Sequence, residues 1–343
     1  MRTVEGPERP AAAGPAPASR KRAPTESRGR AFRTFSAGLI LGVGLGAVGT
    51  VALIDRPDQQ QTPEQAAPAE PAPTAPVPDG AISQLTWAPP TLDDPVVINV
   101  TASNHNLDLD PDQDYELRLP EEPLEAEGGV SVIGGHDVVL IGGEISVPAQ
   151  SDTNPQSVRA LFLKDQTGTV HVEGLLMSGD GLAEGINLDQ REGAVVQLEN
   201  IRVGTTLEGS YEGHHADLLQ SWSGPAELRV DGLSGTTGYQ GFFLLPRQFG
   251  DTKPDLFDLR RVDIVGAEGS AYLLWRDEND WPMVTQDVWV DPPGGRGEGL
   301  VLWPVGDTSS FEGVQTGRPP GGDFVPDGVA GVGYVSPGYS SEG

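Results

Sequence analysis

Pairs of apolar residues separated by a single position recur along the middle of this chain at intervals of roughly 25–32 residues. Val138-x-Leu140, Val170-x-Val172, Val196-x-Leu198, Leu228-x-Val230 and Phe257-x-Leu259 each place two apolar side chains on one face of an extended segment. Such alternation marks a strand half-buried against a core. Most pairs are followed by a turn residue and a second short apolar run: Gly174 then Leu175 and Met177, Asn200 then Ile201 and Val203, Gly232 then Leu233. Recurrence at this period predicts stacked units, none able to bury its inner face alone. Charge at Val172 or Leu198, both read as inward, is expected to be poorly tolerated.

A further strand series precedes each of these: Leu161-x-Leu163, Ile186-x-Leu188, Leu219, Phe242-x-Leu244 and Tyr272-x-Leu274. Val130 to Pro148 reads as strands broken by the turns Gly134-Gly135 and Gly142-Gly143. Val96-x-Ile98-x-Val100 and Tyr115-x-Leu117-x-Leu119 read as strands covering the N-terminal end of the stack. No amphipathic helix pattern occurs in this region. Two strand registers per coil are legible; a third is short and not located by the pattern. The expectation is an all-β solenoid over residues 85–305.

Outside that unit the pattern changes. Phe35 to Ile54 carries no charge and no proline, and twenty residues at 1.5 Å each span about 30 Å, the thickness of a hydrocarbon core. Residues 1–34 hold eight Lys/Arg against three Glu, a charge of +5, so the −28 of the whole leaves −33 for the rest. A basic flank before an apolar span, read as a retained anchor, places the N-terminus in the cytoplasm; the alternative is a cleaved signal peptide with a long basic leader. Residues 55–84 follow as a Pro/Ala-rich linker, with seven prolines between 57 and 80. Residues 306–343, rich in Gly, Pro, Asp and Ser, read as a loosely ordered tail. Gly38, Gly42 and Gly46 fall on one helical face, which suits a weak homodimer of membrane helices. The acidic balance argues against nucleic-acid binding, and the absence of Cys excludes disulfides and thiolate metal sites.

Gly134-Gly135-His136-Asp137-Val138-Val139-Leu140-Ile141-Gly142-Gly143 and His215-Ala216-Asp217-Leu218-Leu219-Gln220-Ser221-Trp222 resemble the pectate lyase-like superfamily of right-handed parallel β-helix proteins, in its membrane-anchored actinobacterial form. The resemblance covers about 96–292. It implies a single-stranded right-handed parallel β-helix with three strands per coil and carbohydrate-facing work, in a family of lyases, hydrolases, epimerases and non-enzymatic binders. The Asn-Thr-Asp, His-Gly and Arg-x-Lys signatures of polygalacturonase-like members are not present. Arg247, Arg260 and Arg276 offer the arginine of a pectate lyase, but no carboxylate cluster faces them.

The densest polar cluster is His214-His215-x-Asp217-x-x-Gln220-x-Trp222. His215 and Asp217 share strand parity, so an imidazole–carboxylate pair can orient a general base. The candidate catalytic residues are His215, Asp217 and Arg247; Gln220, Trp222, Tyr239, Gln240 and Trp275 are the candidate substrate-binding residues. An outward row of Lys164, Asp189, Gln220 and Leu245, flanked by Trp222, Arg247 and Trp275, mixes charge, amide and indole in the manner of a sugar-binding groove. Equally, Asp217 can cap a turn and Gln220 can join a side-chain ladder. No metal site or cofactor is expected. Asp108, Asp110, Asp112, Asp114 and Glu116 suggest calcium, but the sixth and twelfth positions of a calcium loop fall on Gln113 and Leu119 rather than Gly and Glu. The expected molecule is a single-pass membrane protein with an extracytoplasmic β-helix that binds polysaccharide or cell-wall glycan. The alternatives are a polysaccharide lyase or glycoside hydrolase, and a structural spacer without a ligand.

Overall fold

The computed structural model describes residues 84–149, 159–206, 215–251, 253–277, 280–294 and 300–340. The chain divides into two units, Met1–Ala72 and Pro73–Gly343, and the described residues all belong to the second. The apolar run Phe35–Ile54, with Gly38, Gly42 and Gly46, lies outside them; among the described residues no helix is long and apolar enough to cross a membrane.

The described chain is an all-β parallel solenoid of about seven turns with almost no helix. Three faces repeat around each coil. The first is an eight-stranded sheet of β2 (Asn106–Leu109), β5 (Val130–Gly134), β8 (Arg159–Lys164), β11 (Glu184–Asp189), β13 (Leu219–Ser223), β15 (Phe242–Leu244), β17 (Leu274–Arg276) and β19 (Leu302–Trp303). The second face holds β1 (Val96–Asn99), β3 (Tyr115–Arg118), β6 (Val138–Ile141) and β9 (Thr169–Glu173). It continues through the first halves of β12 (Val195–Thr206), β14 (Glu227–Thr237), β16 (Leu256–Gly266) and β18 (Met283–Asp291). The third comprises β4 (Leu124–Glu125), β7 (Glu144–Ser146), β10 (Leu176–Ser178), the second halves of β12 to β18, and β20 (Val314–Thr316).

That third face is the register the apolar pattern did not locate. In β12, β14, β16 and β18 it hides because the chain passes from the second face to the third without leaving the strand. A single left-handed residue bends it: Gly174 (φ 65°), Asn200 (53°), Gly232 (74°), Arg261 (47°) and Asp287 (54°) stack in one column. Gly and Asn suit that conformation and announce it in sequence; an Arg does not.

Register bears out the inward pairs. Val138, Val170, Val196, Leu228, Phe257 and Met283 align on the second face, and Leu161, Ile186, Leu219, Phe242 and Leu274 on the first. Val172 and Leu198 are buried as expected. Tyr272 is not part of this inward set, because it precedes β17 in a left-handed turn (φ 54°). The next inward position is instead Arg276, buried at the end of the stack over the Trp281 ring (4.5 Å) and donating to the Ser310 and Trp281 carbonyls. The strands Val96–Asn99 and Tyr115–Arg118, expected to cover the stack, pair in register as rungs of the second face.

Two irregular segments lie against the outside of the second face. Residues 84–95 run along it toward β1: the Thr86 and Trp87 amides bond Glu199, Trp87 lies under the Arg260 guanidinium (5.0 Å), and the Asp93 amide bonds Asp114. Pro89, Pro90 and Leu92 help line a recess of about 240 Å³ over Leu117, Val139 and Ile141. From the other end, residues 317–340 return across the second-to-third corner. Phe324 and Val325 amides bond Asp263 and Ser234, Arg202 holds Asp323 and the Val325 carbonyl, and the Gly331 amide bonds the Gly174 carbonyl. Tyr334 packs so closely on Gly174 that a Cβ there would sit 2.2 Å from its ring. The two segments meet in a parallel bridge between Leu85 and Tyr339. Residues 306–340 are thus irregular in backbone, with one 3-10 turn (Thr308–Phe311) and β20, yet tied along the solenoid.

Candidate functional site

In β13 the inward Leu219 and Ser221 alternate with the outward Gln220 and Trp222. Register extends this outward side into one column on the first face: Phe162, Asn187, Gln220, Phe243, Trp275 and Trp303. Rungs of a sheet lie about 4.8 Å apart, so the rings follow one another along the solenoid axis. Phe243 meets Trp275 at 5.3 Å, Trp275 stacks on Trp303 at 4.7 Å, and Tyr272 sets its edge against both indoles. Beside Phe162, the Trp222 ring contacts Phe249 (6.3 Å) and takes the Arg159 guanidinium at 5.2 Å, while its Nε1–H donates to Gln220 Oε1 at 2.6 Å. These rings are half-buried, and Phe249 is 55% exposed.

The row read from the sequence differs in register. Lys164 and Asp189 pair with each other (Nζ to Oδ2, 2.7 Å) in the column two residues further along, and Leu245 lies beyond the end of β15. Phe162, Phe243, Tyr272, Trp303 and Phe249 complete the aromatic surface and went unrecognised. Phe162 and Phe243 carry the available signal, since they fall between the inward Leu161 and Leu163 and between the inward Phe242 and Leu244.

Of the candidate residues, the structure gathers His215, Asp217, Gln220, Trp222, Tyr239 and Gln240 on adjoining coils. The His215 ring lies against Tyr239 (5.0 Å) and Phe243 (5.7 Å), which links it to the column reaching Trp275. Asp217 is 0% exposed and spends Oδ1 on the Gln240 amide at 3.1 Å. Burial pushes its carboxyl well above the usual range; the nearby Glu184 charge pushes it further, against weaker help from Gln240 and Gln220. Glu184 is also raised by burial, with Arg159 at 3.7 Å and Asn187 at 2.9 Å offsetting part of that. Asp217 Oδ2, Asn187 Oδ1 and Gln240 Oε1 are buried acceptors with no partner. A proton on Asp217 Oδ2 turns that acceptor into a donor. Asp217 therefore sits in the wall beneath the aromatic surface, and ties β13 to the turn before β15.

Arg247 stands apart. It follows β15, whereas Tyr239 and Gln240 precede it, so the strand separates them. Its guanidinium pairs with Asp280 (3.0 Å) and lines a recess of about 130 Å³ with Leu245, Gln248 and Asp277.

Asp114, His136 and Asp137 bring ligand-type atoms within 4.8 Å of one another. Their bonds account for them otherwise. Asp114 accepts from the Asp93 and Asp137 amides and from His136, and Asp137 accepts from the Thr169 amide at 2.6 Å. These are caps on stacked turns.

No family model, curated protein or solved structure matches this chain. The geometry of its faces carries the functional argument.

Proposed function

We infer that this chain is a carbohydrate-binding protein whose glycan lies along the outer side of the first sheet. The observation that carries this reading is the half-exposed run of Phe243, Trp275 and Trp303, continued through Gln220 and Asn187 to Phe162 and Trp222. Aromatic edges and faces meet sugar C–H surfaces, while the rim groups Arg159, Lys164 and Arg191 bond hydroxyls or carboxylates; Gln220 and Asn187 are buried and support the surface from beneath. Membership of the pectate lyase-like superfamily and a membrane anchor at Phe35–Ile54, with the solenoid outside the cell, belong to the same proposal. So does a cell-surface polysaccharide as partner.

Hydrolysis or elimination is the second reading, favoured by the raised carboxyls of Asp217 and Glu184. A general acid must touch its substrate, and full burial of Asp217 weighs against it. Binding of the purified chain to a glycan array tests the first reading. Trp303→Ala and Phe243→Ala are expected to weaken binding about tenfold, the loss of one aromatic contact of roughly 1–1.5 kcal/mol. Unchanged binding in both variants, or no binding to any glycan by folded protein, overturns it. New reducing ends that vanish in Asp217→Asn would establish the enzymatic reading instead.

A further inference from the structure

The outward side of the second face carries three carboxyl groups on consecutive rungs. Register stacks Glu173, Glu199 and Asp231 in one column, with rungs about 4.8 Å apart, and all three are buried. Like charges at that spacing, shielded from water, cannot all ionise cheaply. The two outer members are well supplied. Asp231 takes Arg261 through Nε (2.6 Å) and Nη2 (2.7 Å) and the Thr86 hydroxyl. Glu173 accepts from the Tyr334 hydroxyl at 2.6 Å, from the Tyr339 hydroxyl, and from His171. The His171 tautomer follows from Gln197, whose amide donates to Nδ1 at 2.9 Å and leaves the proton on Nε2 to face Glu173.

Glu199, in the middle, is held by the amides of Thr86 (3.0 Å) and Trp87 (2.9 Å), both from the N-terminal segment. The charged and titratable groups around it are Glu173 and His171 on β9, Asp231 on β14, Arg260 and Arg261 on β16, and Tyr334 and Tyr339 on the returning segment. Arg260 is engaged with Asp258 at 2.7 Å and Arg261 with Asp231. Residues 84–92 bring no charge of their own.

We propose that this column is a proton-operated clasp: one retained proton lets residues 84–92 and 331–340 close over the flank, and its loss releases both. Burial first, then the Asp231 and Glu173 charges, raise the Glu199 carboxyl to about 8 against the pull of the two amides. Because that value lies above the free one, the closing contribution is fully present below 4.5 and is lost as pH rises through about 8. Glu173 sets the acid limit. Burial raises it, but the bonds from His171, Tyr334 and Tyr339 outweigh burial and leave it below its ordinary value, so its share is lost under acid. The clasp is strongest between those limits.

Hydrogen exchange on the full chain, at pH 6.5 and pH 9 with intrinsic rates corrected, tests this. Segments 84–92 and 331–340 are expected to lose protection about tenfold or more at pH 9 while β9, β12 and β14 keep theirs. Glu199→Gln, with no proton to lose, is expected to abolish that difference. Equal protection of the two segments at both pH values, joint loosening of segments and strands, or the same pH dependence in Glu199→Gln overturns the proposal. Should Glu199→Gln fail to fold, Asp231→Asn decides. Removal of the neighbouring charge must move the opening midpoint, and an unmoved midpoint overturns the clasp.

Discussion

The first and second faces of this solenoid are built by the same alternation, yet their outer sides have opposite fates. On the first, the outward column is largely aromatic and half-exposed; on the second, His171, Glu173, Glu199 and Asp231 are polar and completely or almost completely buried. Period-two alternation says which side chains leave the core. It does not say whether they reach water. What lies over the sheet decides that, and the covering here comes from 84–95 and 317–340, segments with no periodic signal at all. A polar outward position is therefore a weak indicator of a solvated face once chain ends can fold back.

The comparison breaks most severely where both faces share the core. Leu198→Glu places an unpaired charge against the inward stack and is expected to cost on the order of 4 kcal/mol. Thermal melting should fall for the whole solenoid, and a neutral effect would mean the register is displaced by one residue. Gly174→Ala acts on one face only. Its left-handed φ and the Tyr334 ring in its path make roughly 2 kcal/mol the expected cost. Limited proteolysis should then cut within 318–340 while the first face stays resistant. Asp217→Asn sharpens the other side with a smaller effect. Because burial raises the Asp217 carboxyl, its stabilising contribution is present below its ordinary value of 3.8 and falls away as pH rises through the raised one. The variant is expected to match or exceed wild-type stability at pH 8, with its advantage shrinking at pH 5. Melting curves at the two pH values measure this.

The inward residues of the first two faces were legible because apolar spacing is a local signal, and Val170-x-Val172 or Ile186-x-Leu188 states its own geometry. The third face was half legible: Gly174, Asn200 and Gly232 mark the bend, whereas Arg261 and Asp287 adopt the same left-handed state under tertiary constraint. At the candidate site, the strand holding Gln220 and Trp222 was readable, but its partners depended on inter-coil register. A turn of uncertain length before each coil shifts that register, which is why Lys164 and Asp189 displaced Phe162 and Asn187 in the expected row. Arg247 was placed near that row by its position along the chain, and the structure sets it after β15, paired with Asp280.

The Leu85–Tyr339 bridge has a mechanical meaning. A solenoid held by its two poles would surrender one coil after another under tension. Here the described chain begins and ends side by side on the flank, and the first residues to bear a load arriving through the segment before 84 are Leu85, Thr86 and Trp87. Their anchors are Tyr339, Gly338, Glu199 and Asp231, several coils away from β1. A pull on that end must shear these attachments from the side of the stack before it can unwind the first rung.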